Sequence, residues 1–282
     1  MQDTITHIGH DLHIHTYLST CCEDKAHQTP NQIIQRAKEL GLECIGFADH
    51  LWQNPHLRAS SWYHPQNETR IVRLRQELAA ITTDMRILVG CEADTVAPGR
   101  FSITKDFVET LDFTLLSCSH LHLKDIVEQP PSDTPKVIAA HLVKLFLSGV
   151  ESGLATIIAH PFVPYGFINM FDGIIATLSD SELFDAFCSA KESGVGIEIT
   201  AAFLPHVMLR RVSGDNPSLA KPLFSIETPI RLLSIAKQAG CKFSFGSDAH
   251  DPEGQRELPG IIELIKSADI KKDDLIPLLL QR

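Results

Sequence analysis

The sequence predicts an α/β fold, a distorted, TIM-like (β/α)7 barrel of seven strands with its chemistry on the C-terminal rim. Three observations carry that expectation. Short apolar runs alternate with helical patterns along the 282 residues. The runs are apolar throughout, as parallel strands buried on both faces are. Each of them ends in polar side chains, and in a closed barrel those ends share one rim. An open doubly wound sheet would leave the histidines of its outer strands stranded.

The first strand is His10-Asp11-Leu12-His13-Ile14-His15-Thr16. Side chains two apart on a strand share a face, which places Asp11, His13 and His15 together and Leu12 and Ile14 opposite. A helix over 29–41 follows, with Thr29 as cap, Pro30 in the first turn, Gln32 completing a capping box and Gly41 as stop. Its apolar stripe is Ile33, Ile34, Ala37 and Leu40. The run 43–48 is the second strand and ends in Asp49-His50. Residues 67–81 read as a helix, and 86–90 as a strand that ends at Glu92 and Asp94. A short helix near 104–110 leads to a strand over 113–118, ending at Ser119-His120-Leu121-His122. Thr134-Pro135 opens a long helix to Gly153, and the strand 155–159 ends at His160-Pro161. A Ser-x-x-Glu box at Ser179 starts a helix to Gly194, followed by a strand over 195–200. Thr228-Pro229 opens a helix to Gly240, and the strand 241–245 ends at Gly246-Ser247-Asp248-Ala249-His250. The tail, 258–265 and 270–280, reads as one or two helices that close the barrel and carry no chemistry.

No composition break, repeat or low-complexity tract divides the chain, so 1–282 is expected as a single domain with 258–282 as closing helices. An apolar fraction of 44% and a charged fraction of 21% are those of a soluble globular protein. No apolar run is long enough for a membrane, and the N-terminus lacks the order of a signal peptide, so the expected location is cytoplasmic. Cys44, Cys91, Cys118 and Cys241 sit in or beside apolar runs, as reduced cysteines do, whereas Cys21 and Cys22 lie in a polar loop just after the histidine pair. In that loop they are ligands, supports of ligands or small fillers. A net charge of -10 weighs against long nucleic acid as a partner. The sequence sets no oligomeric state.

Of fourteen histidines, His13, His15, His50, His120, His160 and His250 fall at strand ends, joined by Glu92 and Asp248. Any one alone is compatible with a strand-terminal hydrogen bond. Together, a ring of imidazoles with two carboxylates is what a cluster of two or three divalent transition metal ions requires, and Zn, Fe and Mn all accept such mixed sites. Bound cations would also draw a small anionic substrate to an otherwise acidic surface.

At these residues the sequence resembles the PHP (polymerase and histidinol phosphatase) family of metal-dependent phosphoesterases. The resemblance rests on Asp11-Leu12-His13-Ile14-His15-Thr16, Gly46-Phe47-Ala48-Asp49-His50, Gly90-Cys91-Glu92, Ser117 to His120, His160-Pro161, Glu198 and Gly246-Ser247-Asp248-Ala249-His250, in order over roughly 8 to 252. The chain's length is similar to the histidinol-phosphatase branch. The resemblance implies that His13, His15, Glu92 and Asp248 hold one metal, that Glu92 bridges to a second held by His120 and His160, and that His50 and His250 serve a third. The chain departs from the family where members often carry Asp or His shortly after His15. Here it reads Ser19-Thr20-Cys21-Cys22-Glu23-Asp24, a stretch closer to the Ser-Pro-Cys-Gly-Asp run of some relatives. Cys21 as a thiolate is the most direct replacement, with Glu23 or Asp24 as runner-up.

The function implied is hydrolysis of a small phosphate monoester, histidinol-phosphate-like, in which a metal-bridging hydroxide attacks phosphorus and Glu92 and Asp248 are central. His122, Asp49 and a metal-bound water are candidates for the general acid, and Asp49 is equally a candidate for orienting a histidine. Glu198 is expected to line the site. Substrate contacts are expected from the loops 51–70, 161–173 and 203–228, with Trp52, Trp62, Tyr63, Tyr165 and Phe167 for stacking and Arg58, Arg210, Arg211 and Lys221 for phosphate. The alternatives are a phosphodiesterase or nuclease acting on nucleotides or oligonucleotide ends, and a non-catalytic metal-binding scaffold.

Overall fold

The computed structural model describes residues 4–22, 24–213 and 221–280. Seven parallel strands form the barrel: β1 (His10–Ile14), β2 (Cys44–Phe47), β3 (Arg86–Ala97), β5 (Phe113–Ser117), β6 (Ile157–Ala159), β7 (Gly196–Thr200) and β8 (Phe243–Gly246), hydrogen-bonded in that order. A short β4 (Arg100–Phe101) folds back antiparallel onto the outer end of β3. The last gap, between β8 and β1, is nearly closed, and side chains do much of the closing. Phe245 N donates to His10 Nε2 at 2.9 Å, Ser247 N to Asp11 Oδ1 at 2.9 Å, and His15 N to Ala249 O at 3.0 Å. The His10 ring also stacks on Phe245, 4.4 Å between centroids.

Helices α1 (Pro30–Glu39), α2 (Glu68–Ala79), α3 (Lys105–Val108), α4 (Pro135–Glu151), α5 (Phe171–Ala176), α6 (Asp180–Glu192), α7 (Pro205–Ser213) and α8 (Glu227–Gln238) fill the connections. Most follow the expected punctuation. Glu182 N donates to Ser179 Oγ and Ser179 N to Glu182 Oε2, which completes the box that starts α6. The box expected at Thr29 does not form, because its hydroxyl donates to Gln32 Oε1 at 2.8 Å and no helix N–H reaches it. Two stretches expected as loops contain helices, α5 and α7. The second is amphipathic, with Val207 and Met208 buried and Arg210 and Arg211 turned to the cavity described below.

β3 runs past its expected end at Gly90, because pairing with β5 and then β4 keeps residues 92–97 extended. Strict alternation in β1 also fails. The β1–β2 register shifts between Asp11 and Ile14, so Leu12 joins the inner apolar cluster and Ile14 the outer one. Inside the barrel, Leu12, Leu88, Phe113, Leu115 and Ile157 pack beneath the rim. In the tail, α9 (Pro252–Arg256) lies at the rim against α1 and α10 (Ile262–Ser267) packs on α8, whereas the segment leading into α11 (Pro277–Leu280) plugs the N-terminal mouth: Ile276 joins the inner cluster and its N–H donates to Phe243 O. Among the described residues no helix is long and apolar enough to cross a membrane.

Candidate metal centre

Apart from Cys21, which stands in the turn between β1 and α1, each ligating side chain is carried to the rim at or just beyond the end of a strand. His13 leaves β1 and His15 the turn after it, with their Nε2 atoms 3.2 Å apart. Glu92 of β3 and Asp248, just beyond β8, complete this group: Glu92 Oε2 and Asp248 Oδ1 each lie 3.4 Å from both nitrogens. The other Glu92 oxygen faces a second group, 2.8 Å from His160 Nε2 and 3.5 Å from His120 Nε2. His15, Cys21, His50 and His250 form a third. Within every group the donor atoms lie within 4.8 Å of one another. All nine residues expected as ligands are therefore gathered into three adjoining groups.

The donor set suits cations. Two imidazole nitrogens at 3.2 Å can share at most one proton, and two carboxylates close on the same point. Among the described residues, buried Glu92 Oε2 has no hydrogen-bond partner, nor has His50 Nδ1, although the two lie 3.0 Å apart. Buried polar atoms left this way are costly unless something fills the space between them. Imidazole nitrogens with carboxylate oxygens match divalent transition metals.

Behind the ligands, other groups set the rings. His13 Nδ1 donates to Glu198 Oε1 at 2.7 Å, and His120 Nδ1 to Asp94 Oδ1 at 2.7 Å. His160 Nδ1 pairs with Ser119 Oγ at 2.9 Å and His250 Nδ1 donates to Asp248 O at 2.9 Å. In each case the Nε2 atom is turned toward the centre. The Tyr63 hydroxyl donates to the second oxygen of Asp94. His160 and Asp248 are held at positive φ, 31° and 52°, a strained backbone that sharply turns both ligands inward. Gly246 leaves room for this arrangement, since a Cβ there would overlap Glu198 Oε1 and lie 2.6 Å from His13 Cβ.

The charges are strongly coupled. Burial pushes the Glu92 carboxyl up, but the imidazoles of His50, His13 and His120 outweigh it and hold the group well below the usual carboxylate range. Burial likewise opposes ionisation of Asp248, and Arg211 and His13 overcome it. His13 is raised well above an ordinary imidazole, because the carboxylates of Glu198, Asp248 and Glu92 exceed its burial penalty. His15 is pushed well below, by burial and then by His250. Burial, with the carboxylates of Asp49, Glu92 and Asp248, also raises the Cys21 thiol, so a cation arriving there must displace its proton.

Above the groups opens a cavity of about 740 Å³, walled by Trp62, His122, Leu123, Tyr165, Arg210 and Arg211. Arg211 Nη1 donates to Asp248 Oδ2 at 2.5 Å and Tyr165 donates to the same oxygen at 3.2 Å, so Asp248 splits its oxygens between the centre and the wall. Arg210 faces Asp251 and Glu257, at 3.5 and 3.9 Å.

Several expected roles change. Trp52 is not a substrate contact: it is buried against Tyr63 and Val96, and its Nε1 donates to Leu57 O. Tyr63 is buried behind Asp94, leaving Trp62 as the aromatic of that loop on the cavity wall. Glu198 does not line the cavity either; it sits beneath the ligands, binding His13 and accepting from His160 N at 2.6 Å. Asp49 accepts from Thr16 N and Thr16 Oγ1 with separate oxygens, so it pins the turn after β1 and orients no histidine. Asp11 likewise binds Ser247 N at the barrel seam. His122 does reach the cavity, but burial and neighbouring His120 lower it to about 3, a neutral imidazole at pH 7. Asp24 is paired with His27 Nδ1 at 2.9 Å, and Glu23 lies outside the described residues. The orienting role of Asp94 was readable from its place two residues after Glu92, on the same strand face. Tyr63 had no such signal, because it arrives from a loop.

Comparison with known proteins agrees with this geometry. A curated relative from Caldicellulosiruptor bescii, named a probable phosphatase, is 24% identical over 240 residues, which are 85% of this chain and 80% of the relative. The crystal structure of histidinol phosphate phosphatase from Lactococcus lactis subsp. lactis, complexed with zinc, L-histidinol and phosphate, covers 92% of this chain and 93% of that one. Its TM-score is 0.55 at 16% identity, a likeness of fold. Residues 11–202, well over half of the chain and the span from the first histidine pair to Glu198, match the PHP domain family, and the chain belongs to that family.

Proposed function

We propose that the protein is a metal-dependent phosphomonoesterase acting on a small phosphorylated metabolite, histidinol-phosphate-like in size and polarity. The observation that carries this reading is Glu92, whose two oxygens serve two ligand groups side by side on the floor of one cavity. His13, His15, Glu92 and Asp248 would hold one ion, Glu92, His120 and His160 a second. Bound there, divalent transition metals supply a water of lowered pKa and positive charge for the phosphoryl oxygens.

The chain's own residues do the rest. Glu92 keeps both groups in one register, and Glu198 and Asp94 keep the His13 and His120 rings aimed. Arg211, held by Asp248 and the carbonyls of Ser247 and Asp248, brings a fixed guanidinium to the wall, where a phosphate can meet it. Neutral His122 offers the leaving-group oxygen a ring N–H without competing charge. Trp62, Leu123 and Tyr165 limit water around the ester. The cavity's size suits a metabolite, and the chain's net charge of -10 suits neither long DNA nor RNA. The L. lactis enzyme, whose complex contains L-histidinol and phosphate, supports the substrate class.

The test compares phosphate release from histidinol phosphate and p-nitrophenyl phosphate with cleavage of bis(p-nitrophenyl) phosphate. Monoester turnover that is lost on chelation and restored by Zn, Fe or Mn is the expected result. Faster cleavage of the diester would replace this reading with a phosphodiesterase. No turnover of either by metal-replete protein would leave a binding scaffold.

A further inference from the structure

The third ligand group differs from the other two in containing sulfur and no carboxylate. It is also held more firmly than a loop cysteine usually is. Cys21 stands on the turn 16–22, and three buried side chains from other parts of the fold grip that turn. Asp49 accepts from Thr16 N and Oγ1, Gln28 Nε2 donates to His15 O at 2.9 Å, and Gln66 Oε1 accepts from Thr20 N and Ser19 Oγ. Arg36, also buried, donates to the Gln28 side chain and to Gln255, which ties the turn to α1 and α9.

The histidines opposite are equally committed. His250 spends Nδ1 on Asp248 O, which leaves Nε2 as its ligating atom. His50 is more than nine-tenths buried, and its Nδ1, 3.0 Å from Glu92 Oε2, makes no hydrogen bond among the described residues. Of the alternative carboxylates, Asp24 pairs with His27 at the surface. Cys21 Sγ has one weak outlet, a 3.2 Å contact to Ser19 Oγ. A preset thiol facing an unpartnered imidazole and a second free ring nitrogen is a cation site in which a cation replaces the thiol proton.

We propose that Cys21, His50 and His250, bordered by His15, form a thiolate-containing third metal site that takes a thiophilic divalent ion, Zn, Fe or Co, in preference to Mn or Mg. Thiolate is a soft ligand and selects such ions, whereas all-oxygen and oxygen-rich sites suit Mn and Mg. The centre is thereby chemically uneven: the first two groups are carboxylate-bearing and accept either class of ion, while the third discriminates. This inference rests on the metal-centre reading above.

Metal-stripped protein reloaded with Co(II) tests it, with bound cobalt measured by elemental analysis and the near-ultraviolet spectrum recorded. The parent is expected to bind three equivalents, one per group, and to show a sulfur-to-cobalt charge-transfer band. Cys21→Ser should lose the band and one of the three equivalents. Cys21→Asp should keep the third equivalent without the band, and Cys22→Ala should keep both. Zn(II) should abolish the parent's band, while excess Mn(II) leaves it. Cobalt bound without a charge-transfer band, a band that survives Cys21→Ser, or a band erased by Mn(II) would overturn the proposal and leave the first two groups standing. Failure to bind any cobalt would overturn the metal-centre reading as well.

Discussion

At the N-terminal mouth of the barrel, Leu12, Leu88, Phe113, Leu115 and Ile157 close around Ile276 from the tail, whereas at the C-terminal rim the same strands end in histidines and carboxylates. The lower end is tightly filled. A Cβ at Gly90 would come within 2.5 Å of Phe113 O and 2.7 Å of its ring, and Gly196 similarly makes room for Ile276. The rim gathers coupled charges, unpartnered oxygens and two ligands at positive φ. The contrast teaches that the barrel concentrates stability at one end and tolerates strain at the other, with Glu198 as the layer between them.

Four changes test that division, beginning with the largest effect. Glu92→Gln at the rim is expected to lower kcat by about four orders of magnitude, which is about 5.4 kcal/mol of barrier. The metal-free variant should unfold somewhat below the metal-free parent, since the imidazoles of His50, His13 and His120 favour the charge that the amide lacks; a loss as large as that of a core truncation would blur the two ends. Phe113→Ala at the mouth should cost about 3–5 kcal/mol in urea unfolding, through lost burial and a cavity. It should leave metal content and kcat of the folded fraction unchanged.

Glu198→Gln probes the layer between. It loses the charge that steadies His13 but keeps the shape, so metal affinity should fall roughly 10- to 100-fold, measured by competition with a chelator. An unchanged affinity would show that Glu198 belongs to the packing alone. The smallest effect at neutral pH is at the seam. Burial lowers His10 to about 3 from 6.5, and its Nε2 accepts from Phe245 N. Below pH 6.5 the unfolded chain binds a proton that the folded chain refuses, so stability falls as pH drops from 6.5 toward 3. The slope is about 1.4 kcal/mol per pH unit for this one group. His10→Gln keeps an acceptor and removes the titration. The parent's advantage over it should shrink by that slope on acidification, and a difference independent of pH would sink the assignment.

Much of this molecule is legible in one dimension, and the reason is periodicity. Most strands are short, apolar runs set between helices punctuated by Pro or Ser at the start and Gly at the end, so the order of elements and the placing of His13, His15, His50, Glu92, His120, His160, Asp248 and His250 at strand ends follow from local pattern. What does not follow is anything decided by a neighbour distant in sequence. Trp52 and Trp62 stand ten residues apart in one loop with the same chemistry, and only packing against Val96 shows that the first is core and the second is wall. Glu198 reads as an inward carboxylate, and only its contact with His13, 185 residues away, makes it a support. The register shift that splits Leu12 from Ile14 depends on how β2 pairs, which β1 does not encode.

The sequence by itself determined the class of fold, the ring of strand ends and the types of ligand delivered to them, because these arise from local periodicity and spacing. Only the tertiary structure decided how those ligands divide into three groups, which carboxylates face the centre and which face its histidines, and that Cys21 rather than Asp24 meets His50 and His250. Those outcomes are set by through-space distances of a few ångströms between residues far apart in the chain, where desolvation and charge, rather than propensity, choose the partner.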